Sequence, residues 1–420
     1  MAIRRCLLLK HGELFLKGDN RSSFEQRLIR HIEAALPAEC GEVTVRPRTG
    51  VTVLYPQREP ETLLRRMKEI PGVALIDVAL RTEKSPEALV EAAIAELHRL
   101  HGEDLSGTPR SFAVVGRRRD KRYPMTSMQL AAYVGGHLQK RTGWHVNLSD
   151  PEVRVIVEVG WHESFVIVES TRGKGGLPVG SSGRAMVMLS GGYDSPVAAH
   201  RAMRRGLACD FIHFSGAPYT DPSSTYKAYA LVRELTRFQP ASRLWVAQLG
   251  PAQRTLASAS DPALRTIAQR RLMVRIAEQL AARTGAQALI SGDSLGQVAS
   301  QTISNLATVE EASTLPLLRP LIGWDKDEIV AEAERIGTAG ISMLPDEDCC
   351  TLLAPPRPAV RSDAQSLHKV ERRAGVEDLI TETVDQLQEF RFGTAETDPP
   401  TPGGTPSAAP AAATAATVAG

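Results

Sequence analysis

The sequence lacks the features expected of a membrane protein or of a small secreted protein. It contains no uninterrupted apolar run of membrane-spanning length, and its N-terminal segment is too short and too soon charged for a signal peptide. Its five cysteines are a sparse, odd-numbered set without a Cys-x-x-Cys pair. They indicate neither a disulfide framework nor a zinc ribbon, so a reducing cytoplasm fits best and no membrane partner is expected.

A strong charge of one sign is also missing. The chain has 50 Lys and Arg against 48 Asp and Glu, so its overall charge does not require a nucleic-acid partner. The positive charge is nevertheless clustered, and such clusters suit contacts to a phosphate backbone, although an isolated basic run is more often a solvated surface. The candidate RNA-binding residues are Lys17, Arg21, Arg117, Arg118, Arg119, Lys121 and Arg122.

The composition is otherwise that of an ordinary globular protein, with 420 residues, 42% of them hydrophobic and 23% charged. This length leaves room for two or three domains. Residues 394–420 are mostly Pro, Ala, Thr, Gly and Ser and cannot bury a core, so we predict that they are disordered.

The most informative stretch is a strand, a turn and a helix between residues 185 and 204. Apolar residues 185–189 predict a buried strand, Ser190–Ser195 form a glycine-rich polar turn, and Pro196 stands near the start of a helix. Backbone N–H groups and the helix dipole at such a turn suit a phosphate group, and Asp194 is placed to hold Mg²⁺ between phosphate oxygens. The alternative is a small-residue turn without a ligand.

The turn lacks the Gly-x4-Gly-Lys-Ser/Thr motif of the common phosphate loop. It resembles instead the PP-loop of ATP pyrophosphatases, Ser-Gly-Gly-x-Asp-Ser after a strand. Enzymes of that class split ATP into AMP and pyrophosphate to activate an oxygen of a second substrate.

From residue 185 onward, predicted strands and helices alternate, which is typical of a parallel sheet. The predicted strands are 185–189, 207–214, 244–248, 287–290 and 315–318, and the helices 196–205, 224–238, 263–283, 298–312 and 326–336. Ligands of such sheets bind beyond the carboxyl ends of the strands. Besides the turn, this rule selects His213 with Phe214, Ser291 to Asp293, and the segment reaching Gln301. Residues 367–392 predict one more helix.

The first 170 residues predict two smaller α/β units. Residues 1–60 carry strands near 6–9, 43–45 and 50–54, with a turn at 47–49 and a helix over 24–36. Residues 61–170 carry helices near 60–70, 86–101 and 127–138 and strands near 73–80, 110–116, 153–159 and 164–169. The glycine-rich residues 171–184 precede a strand instead of following one, which indicates a domain linker and not a dinucleotide-binding loop.

Several of these segments together resemble the family of bacterial tRNA 4-thiouridine synthetases, also called tRNA uracil 4-sulfurtransferases or ThiI proteins. The resemblance covers about residues 5 to 360. The matching segments are residues 12–21, 117–127, 175–180, 190–196, 292–302 and 348–352. Because several of them are rare strings, their joint occurrence is specific.

The resemblance implies an α/β protein with a ferredoxin-like domain at 1–60, a THUMP RNA-binding domain at 61–170 and a PP-loop domain at 185–393. It assigns ATP contacts to several strand ends and to one helix. Together with the turn residues, the implied ATP site is Met188, Leu189, Ser190, Gly191, Gly192, Asp194, Ser195, His213, Phe214, Arg270, Gly292 and Gln301. Arg270 lies on a predicted helix, where a surface arginine is the alternative.

The resemblance also implies the chemistry: ATP and Mg²⁺ activate O4 of the uridine at tRNA position 8, and persulfide sulfur replaces it. The family places a catalytic cysteine at the Cys349-Cys350 position, and the sequence leaves open which of the two thiols is the catalytic one. Asp194 is the other catalytic candidate. Expected partners are tRNA, a cysteine desulfurase, the sulfur carrier protein of thiamine synthesis and a second copy of the chain.

Cys6, Cys40 and Cys209 are interpreted as packed residues. Two departures from some family members are expected: no rhodanese domain follows residue 393, and no Cys-x-x-Cys pair provides for an iron–sulfur cluster.

Two other functions explain part of the pattern. An amidating PP-loop enzyme would explain the turn but neither the basic N-terminal half nor the paired cysteines. An RNA-binding protein with an inert ATP site would explain the basic half but not the intact turn.

Overall fold

The structure is a computed structural model that describes residues 4–107, 110–347, 349–353, 355–393 and Pro399, and the side chains of Cys350 and Thr351 are not described. It divides into two compact units, Met1–Pro178 and Val179–Gly420, called here the first and second units. The predicted disordered tail lies outside the described residues, apart from Pro399. No helix within the described ranges is both long and apolar enough to cross a membrane.

The first unit contains an eight-stranded sheet in the order β2-β3-β1-β4-β8-β7-β5-β6. Its strands are β1 Arg4–His11, β2 Val43–Arg48, β3 Val51–Pro56, β4 Val73–Thr82, β5 Ser111–Arg118, β6 His145–Val146, β7 Val153–Val159 and β8 Ser164–Arg172. Its helices are α1 Arg21–Ala34, α2 Glu61–Met67, α3 Pro86–His101 and α4 Ser127–Thr142. Strand β5 is parallel to β6 and β7, and the other pairs are antiparallel.

Local sequence explains most of these elements. Ser85 caps α3 by accepting a hydrogen bond from the Ala88 amide, and Thr126 forms a capping box with Gln129 at α4. The turn predicted at 47–49 is shorter than expected, because β2 continues through Pro47 to Arg48. Strand β2 lies at the edge of the sheet, where a proline costs no ladder hydrogen bond.

The second unit contains a six-stranded sheet in the order β13-β12-β9-β10-β11-β14. Its strands are β9 Arg184–Leu189, β10 Ala208–Ser215, β11 Ser242–Gln248, β12 Ala288–Ile290, β13 Leu317–Leu318 and β14 Gln388–Phe392. Its helices are α5 Asp194–Arg204, α6 Ser223–Leu235, α7 Gly250–Ala259, α8 Arg265–Thr284, α9 Ile303–Glu310, α10 Lys326–Arg335, α11 Ala339–Ser342, α12 Cys349–Leu352, α13 Ala364–Ala374 and α14 Val376–Asp385.

The predicted parallel sheet is confirmed for β9 to β13, but the last predicted helix is wrong at its end. Residues 388–392 form β14, which pairs antiparallel with β11. Phe390 and Phe392 alternate with exposed Arg391 and bury their rings against Tyr229, a period of two that fits a strand. Gly375, with φ of 63°, separates α13 from α14, and the sequence analysis missed α7 altogether.

Strand register brings the predicted site segments to one edge of this sheet. Leu189 pairs with His213 across β9 and β10, and Val187 pairs with Ile290 across β9 and β12. The residues that follow these three parallel strands therefore leave the sheet side by side, as the topology rule requires.

Candidate functional site

Hydrogen bonds between Ser190 and Ser195 fix the conformation of the turn that follows β9. Ser195 Oγ accepts a 2.9 Å hydrogen bond from the Ser190 amide and lies 3.1 Å from Ser190 Oγ. Ser195 is buried in the first turn of α5, which begins at Asp194. The turn thus wraps around the start of a helix, where unpaired amides and the helix dipole favour an anion.

Asp194 projects from the start of α5 into an ion pair that the sequence analysis did not foresee. Lys326 Nζ lies 2.7 Å from Asp194 Oδ1, and Gln297 Nε2 donates a 3.2 Å hydrogen bond to Oδ2. Lys326 is the first residue of α10, whose start is fixed by a capping box between Asp325 and Glu328, a pattern that the sequence itself displays. A lysine from a distant segment therefore supplies a positive charge at a turn that contains no lysine.

Two glycines of the site lie in close contact with neighbouring segments. A Cβ at Gly292 would lie 2.6 Å from the Ser195 backbone nitrogen, so the loop after β12 touches the turn after β9 directly. A Cβ at Gly191 would lie 2.5 Å from Asp346 Oδ2. At Gly192, in contrast, the nearest atom would be Ser190 Oγ at 3.7 Å, which leaves this face of the turn open.

We expect the Gly292→Ala and Gly192→Ala substitutions to differ in their effect on stability. Gly292→Ala forces a methyl group against backbone and should lower the free energy of unfolding by about 1–3 kcal/mol. Gly192→Ala would make only an ordinary van der Waals contact with Ser190 Oγ and should change the free energy of unfolding by no more than about 0.5 kcal/mol. Urea unfolding followed by circular dichroism measures both, and equal midpoints would contradict the close packing at Gly292.

A buried carboxylate, Asp293, organises the loop after β12. Its Oδ1 accepts hydrogen bonds from Arg270 Nη2 at 2.5 Å and from Gln301 Nε2 at 3.2 Å, and Ser291 Oγ donates to Oδ2 at 2.7 Å. Burial alone would raise the pKa of Asp293, but the charges of Arg270 and Arg319 and the Ser291 hydrogen bond outweigh it and lower the pKa. Asp293 therefore stays ionised at neutral pH.

Arg270 is consequently not a surface residue of α8. Besides Asp293, its guanidinium donates a 3.0 Å hydrogen bond to the Ser300 carbonyl, and its side chain is 17% exposed. The structure brings Arg270, Gly292 and Gln301 together through Asp293, which the sequence analysis placed at the sheet edge without giving it a role. The available sequence signal for the role of Asp293 was its place as a charged residue shortly after the parallel strand β12.

These segments enclose a cavity of about 420 Å³. The sequence-predicted residues that line it are Met188, Leu189, Ser190, Asp194, Ser195, His213, Phe214, Arg270, Gly292, Gln301 and Cys349. Gly191 and Gly192 belong to the adjoining turn. The rest of the lining consists of Ser291 and Asp293, which the topology rule had selected, and of residues that were not among the predicted site residues: Thr266, Gln269, Met273, Val274, Val298 and Ser300.

The cavity combines an anion-accepting turn, an apolar wall and a thiol. Met188, Phe214 and Met273 supply apolar surface, whereas Ser190 and Ser195 supply hydroxyl groups. Cys349 is 2% exposed and begins the short helix α12, and its carbonyl accepts a 2.7 Å hydrogen bond from Gln253 Nε2. This arrangement can hold a nucleotide with its phosphates at the turn and a thiol within the same enclosure.

The basic candidates of the first unit fall into two groups. Some are engaged in intramolecular contacts: Arg21 Nε pairs with Glu25 at 2.8 Å, Arg119 Nε pairs with Glu158 at 2.8 Å, and Lys17 lies over the Phe24 ring. Arg118 donates 3.0 Å hydrogen bonds to the carbonyls of Tyr123 and Met125 and so braces the loop that follows β5.

Arg117, Lys121 and Arg122 are exposed on the same segment. The loop that carries them is ordered by Asp120, which accepts hydrogen bonds from Lys84 Nζ at 2.7 Å and from the Arg122 amide at 3.0 Å. The hydrogen bond from Lys84 is the main cause that lowers the pKa of Asp120 to about 2. Arg122 also lies over the ring of Trp161, which is half-exposed, so cationic and aromatic groups share this surface.

The fold and the site together define a class of protein, in which ferredoxin-like and THUMP domains precede a PP-loop α/β domain. Models of the families described as "ThiI ferredoxin-like domain" and "THUMP domain" match residues 6–76 and 85–169. A model of the family described as "Thiamine biosynthesis protein (ThiI)" matches residues 180–376.

Whole-chain comparisons agree with these matches. The "Probable tRNA sulfurtransferase" of Nocardia farcinica is 52% identical over 383 residues, 91% of this chain and 93% of that protein. The protein of the same name from Thermus thermophilus is 41% identical over 370 residues, 88% and 89% of the two chains. A solved 4-thiouridine synthetase–RNA complex with bound ATP superposes with a TM-score of 0.84 at 32% identity and covers 93% of this chain and 100% of that one.

The chain belongs to the tRNA sulfurtransferase family. The resemblance inferred from the sequence motifs is thereby confirmed, as is the mixed α/β fold class.

Proposed function

We propose that this protein is an ATP-dependent tRNA sulfurtransferase that converts the uridine at tRNA position 8 to 4-thiouridine. The observation that carries the proposal is that the Ser190–Ser195 turn and Cys349 line one cavity. The relatives named tRNA sulfurtransferase and the solved 4-thiouridine synthetase with bound RNA and ATP support it.

In this proposal ATP binds with its phosphates at the turn and its base against the apolar wall. The unpaired amides at the start of α5 and the hydroxyls of Ser190 and Ser195 would face the phosphates, and Met188, Phe214 and Met273 would contact the base. Arg270 and Gln301, fixed by Asp293, border the opposite side. The side chains that hold the site are themselves hydrogen-bonded, so little reorganisation is needed when charge develops on the departing pyrophosphate.

Mg²⁺ is compatible with this site through a single carboxylate. Within the described part of the chain no group of three or more His, Cys, Asp or Glu side chains could hold a metal ion. Mg²⁺ bound to nucleotides commonly uses one or two carboxylates together with phosphate oxygens and water. Asp194, which borders the cavity, would be the protein ligand, and the ion would supply charge neutralisation for the phosphates.

The thiol chemistry requires a sulfur nucleophile close to the activated uridine. O4 of uridine is a poor leaving group until AMP is attached to it, after which the terminal sulfur of a cysteine persulfide can attack C4 and AMP departs. We assign the persulfide to Cys349, because this residue lines the cavity. A second thiol must then attack Cys349 Sγ, which breaks the remaining S–S bond, releases 4-thiouridine and leaves a disulfide at Cys349 that an external thiol reductant reopens. Cys350 is the neighbouring thiol in sequence.

The remaining partners follow from the same chemistry. The sulfur would come from a cysteine desulfurase, and the same persulfide could serve the sulfur carrier protein of thiamine synthesis. A tRNA substrate implies a cytoplasmic location, and we propose a homodimer on the family resemblance alone.

We expect two exposed basic residues of the first unit, Arg117 and Lys121, to contribute to tRNA binding. The double substitution Arg117→Ala/Lys121→Ala should weaken binding and reduce the slope of log K against log salt by about 1 for each lost phosphate contact. Filter binding at several salt concentrations measures the slope. Arg65→Ala/Lys140→Ala, which removes two other exposed basic residues of this unit, is the matched control, and an equal slope in both variants would contradict the assignment.

The direct test of the proposed function is reconstitution. The purified protein is incubated with ATP, Mg²⁺, a cysteine desulfurase with cysteine, a thiol reductant and an unmodified tRNA transcript, and nucleosides are analysed by mass spectrometry. We expect 4-thiouridine with the native transcript and none when cytidine replaces uridine at position 8. Pyrophosphate release that requires ammonia would indicate an amidating enzyme, and RNA binding without any ATP cleavage would indicate an inert ATP site.

A further inference from the structure

Lys227 of α6 is a buried lysine to which the sequence analysis assigned no role. Its side chain is 6% exposed. The ammonium donates hydrogen bonds to the Leu344 carbonyl at 2.6 Å and to Asp346 Oδ1 at 2.9 Å. A buried ammonium is costly unless it is paired and hydrogen-bonded, so these two contacts are conditions of its burial. Lys227 thereby ties α6 to the chain just before Cys349.

The same ion pair packs against the phosphate-type turn. At Gly191 a Cβ would lie 2.5 Å from Asp346 Oδ2 and 3.0 Å from Lys227 Cδ. Glycine at this position is therefore explained by the ion pair beside it. Helix α6, the turn and the segment before Cys349 meet at one point.

The segment before Cys349 is held mainly by polar contacts. We call residues 342–347 and 349 the thiol segment. Met343 and Leu344 are 72% and 55% exposed, so large apolar side chains do not anchor its middle. Its other polar contacts include Ser342 Oγ to the Gly192 carbonyl at 3.1 Å, the Glu347 amide to Ser223 Oγ at 3.2 Å, the Asp221 amide to Glu347 Oε2 at 2.9 Å and Gln253 Nε2 to the Cys349 carbonyl at 2.7 Å.

We infer that Lys227 is a positioning residue that holds the thiol segment against the Ser190–Ser195 turn and so sets the place of Cys349 in the cavity. The expected effect on sulfur transfer rests on the proposed function, whereas the expected effect on the position of Cys349 does not. Of the contacts of the thiol segment given above, those of Lys227 come from a charged ammonium group. This group binds two points of the segment, the Leu344 carbonyl and the Asp346 carboxylate. Because displacing a reacting group by about 1 Å can cost roughly 10²-fold in rate, losing this tie should slow sulfur transfer.

The test is Lys227→Met, which keeps the aliphatic stem beside Gly191 and removes the ammonium. Lys369→Met, which removes an exposed lysine of α13, is the matched control. Cys349 alkylation by iodoacetamide under native conditions is followed by mass spectrometry that separates Cys349 from Cys350. Since hydrogen bonds to charged groups contribute substantially, we expect alkylation to rise at least about tenfold in Lys227→Met and to stay at the wild-type rate in Lys369→Met. An unchanged rate in Lys227→Met would overturn the inference.

A second measurement separates positioning of the thiol from damage to the ATP site. Lys227→Met should lower kcat for 4-thiouridine formation about tenfold or more while tRNA-dependent pyrophosphate release stays within about twofold of wild type. A parallel fall of both rates would overturn the inference, because Lys227 would then act on the turn itself. If the wild type makes no 4-thiouridine but Lys227→Met still exposes Cys349, the proposed function fails and the positioning role stands.

Asp346→Asn keeps the test valid if Lys227→Met does not fold. This substitution retains the Lys227 bond to the Leu344 carbonyl and removes only the opposite charge at a partly exposed site. We expect an alkylation rate above that of wild type, because the buried ammonium loses its opposite charge. A wild-type rate in Asp346→Asn, with Lys227→Met unfolded, would count against the inference.

Discussion

Cys349→Ser is expected to abolish 4-thiouridine formation, with a loss of at least about 10³-fold, while ATP cleavage in the presence of tRNA continues. A serine hydroxyl is close in size to the thiol but cannot carry a persulfide, so the activated uridine has no sulfur nucleophile to react with. Cys349 lines the cavity beside Ser190 and Ser195, and the substitution leaves that turn intact. The two rates should therefore separate in this variant.

The other cysteines provide the controls. Burial raises the pKa of the Cys6, Cys40 and Cys209 thiols, which makes them poor thiolates at neutral pH. Cys40→Ala should therefore keep the wild-type rate of 4-thiouridine formation. Cys350→Ser, assayed in parallel, assigns the work of the adjacent thiol. Full thiolation by Cys349→Ser would contradict the assignment of the persulfide to Cys349.

Local patterns were sufficient to predict the turn and the sheet edge. The apolar run before Ser190, the glycines and the helix start are contiguous, and the carboxyl ends of parallel strands must lie together. This reasoning led to Asp194, His213, Gly292 and Gln301, all of which line the cavity in the structure. The resemblance to a family added Arg270 and Cys349, which no local pattern identifies.

Long-range pairs could not be predicted, because no local rule links their members. Lys326 lies 132 residues from Asp194, and Lys227 lies 119 residues from Asp346. The capping box did locate the start of α10, and with it Lys326, but not the carboxylate that this lysine meets. The basic run of the first unit shows the same limit, since sequence alone does not distinguish Arg118, which braces backbone carbonyls, from exposed Arg117.

The strand at residues 388–392 was missed for a different reason. Helices α13 and α14 precede it directly, and only residues 386 and 387 separate α14 from the strand. Pairing with β11 and packing on Tyr229 fix the strand, and both are tertiary contacts. The alternation of Phe390 and Phe392 with Arg391 is the local signal that the sequence offers for it. Tertiary context can override local preference at the edge of a sheet.

Asp194→Asn should reduce pyrophosphate release and 4-thiouridine formation together, by about 10²- to 10³-fold. Asparagine keeps the shape of the side chain but removes the negative charge that pairs with Lys326 at 2.7 Å and that would bind Mg²⁺ at the turn. This parallel loss differs from the pattern expected for Cys349→Ser, in which ATP cleavage survives. Thiolation that persists in Asp194→Asn would contradict the role of the turn in activating the uridine.

A double-mutant cycle with Lys326→Met tests whether the two charges act as a unit. If Lys326 serves mainly to hold the Asp194 carboxylate, Asp194→Asn/Lys326→Met should be no slower than Asp194→Asn alone, and the two effects will not add. If Lys326 contributes separately to the phosphates, the double variant should lose the product of both factors. Pyrophosphate release at saturating ATP and tRNA measures all four proteins, and non-additivity of more than about 1 kcal/mol assigns Lys326 to the carboxylate.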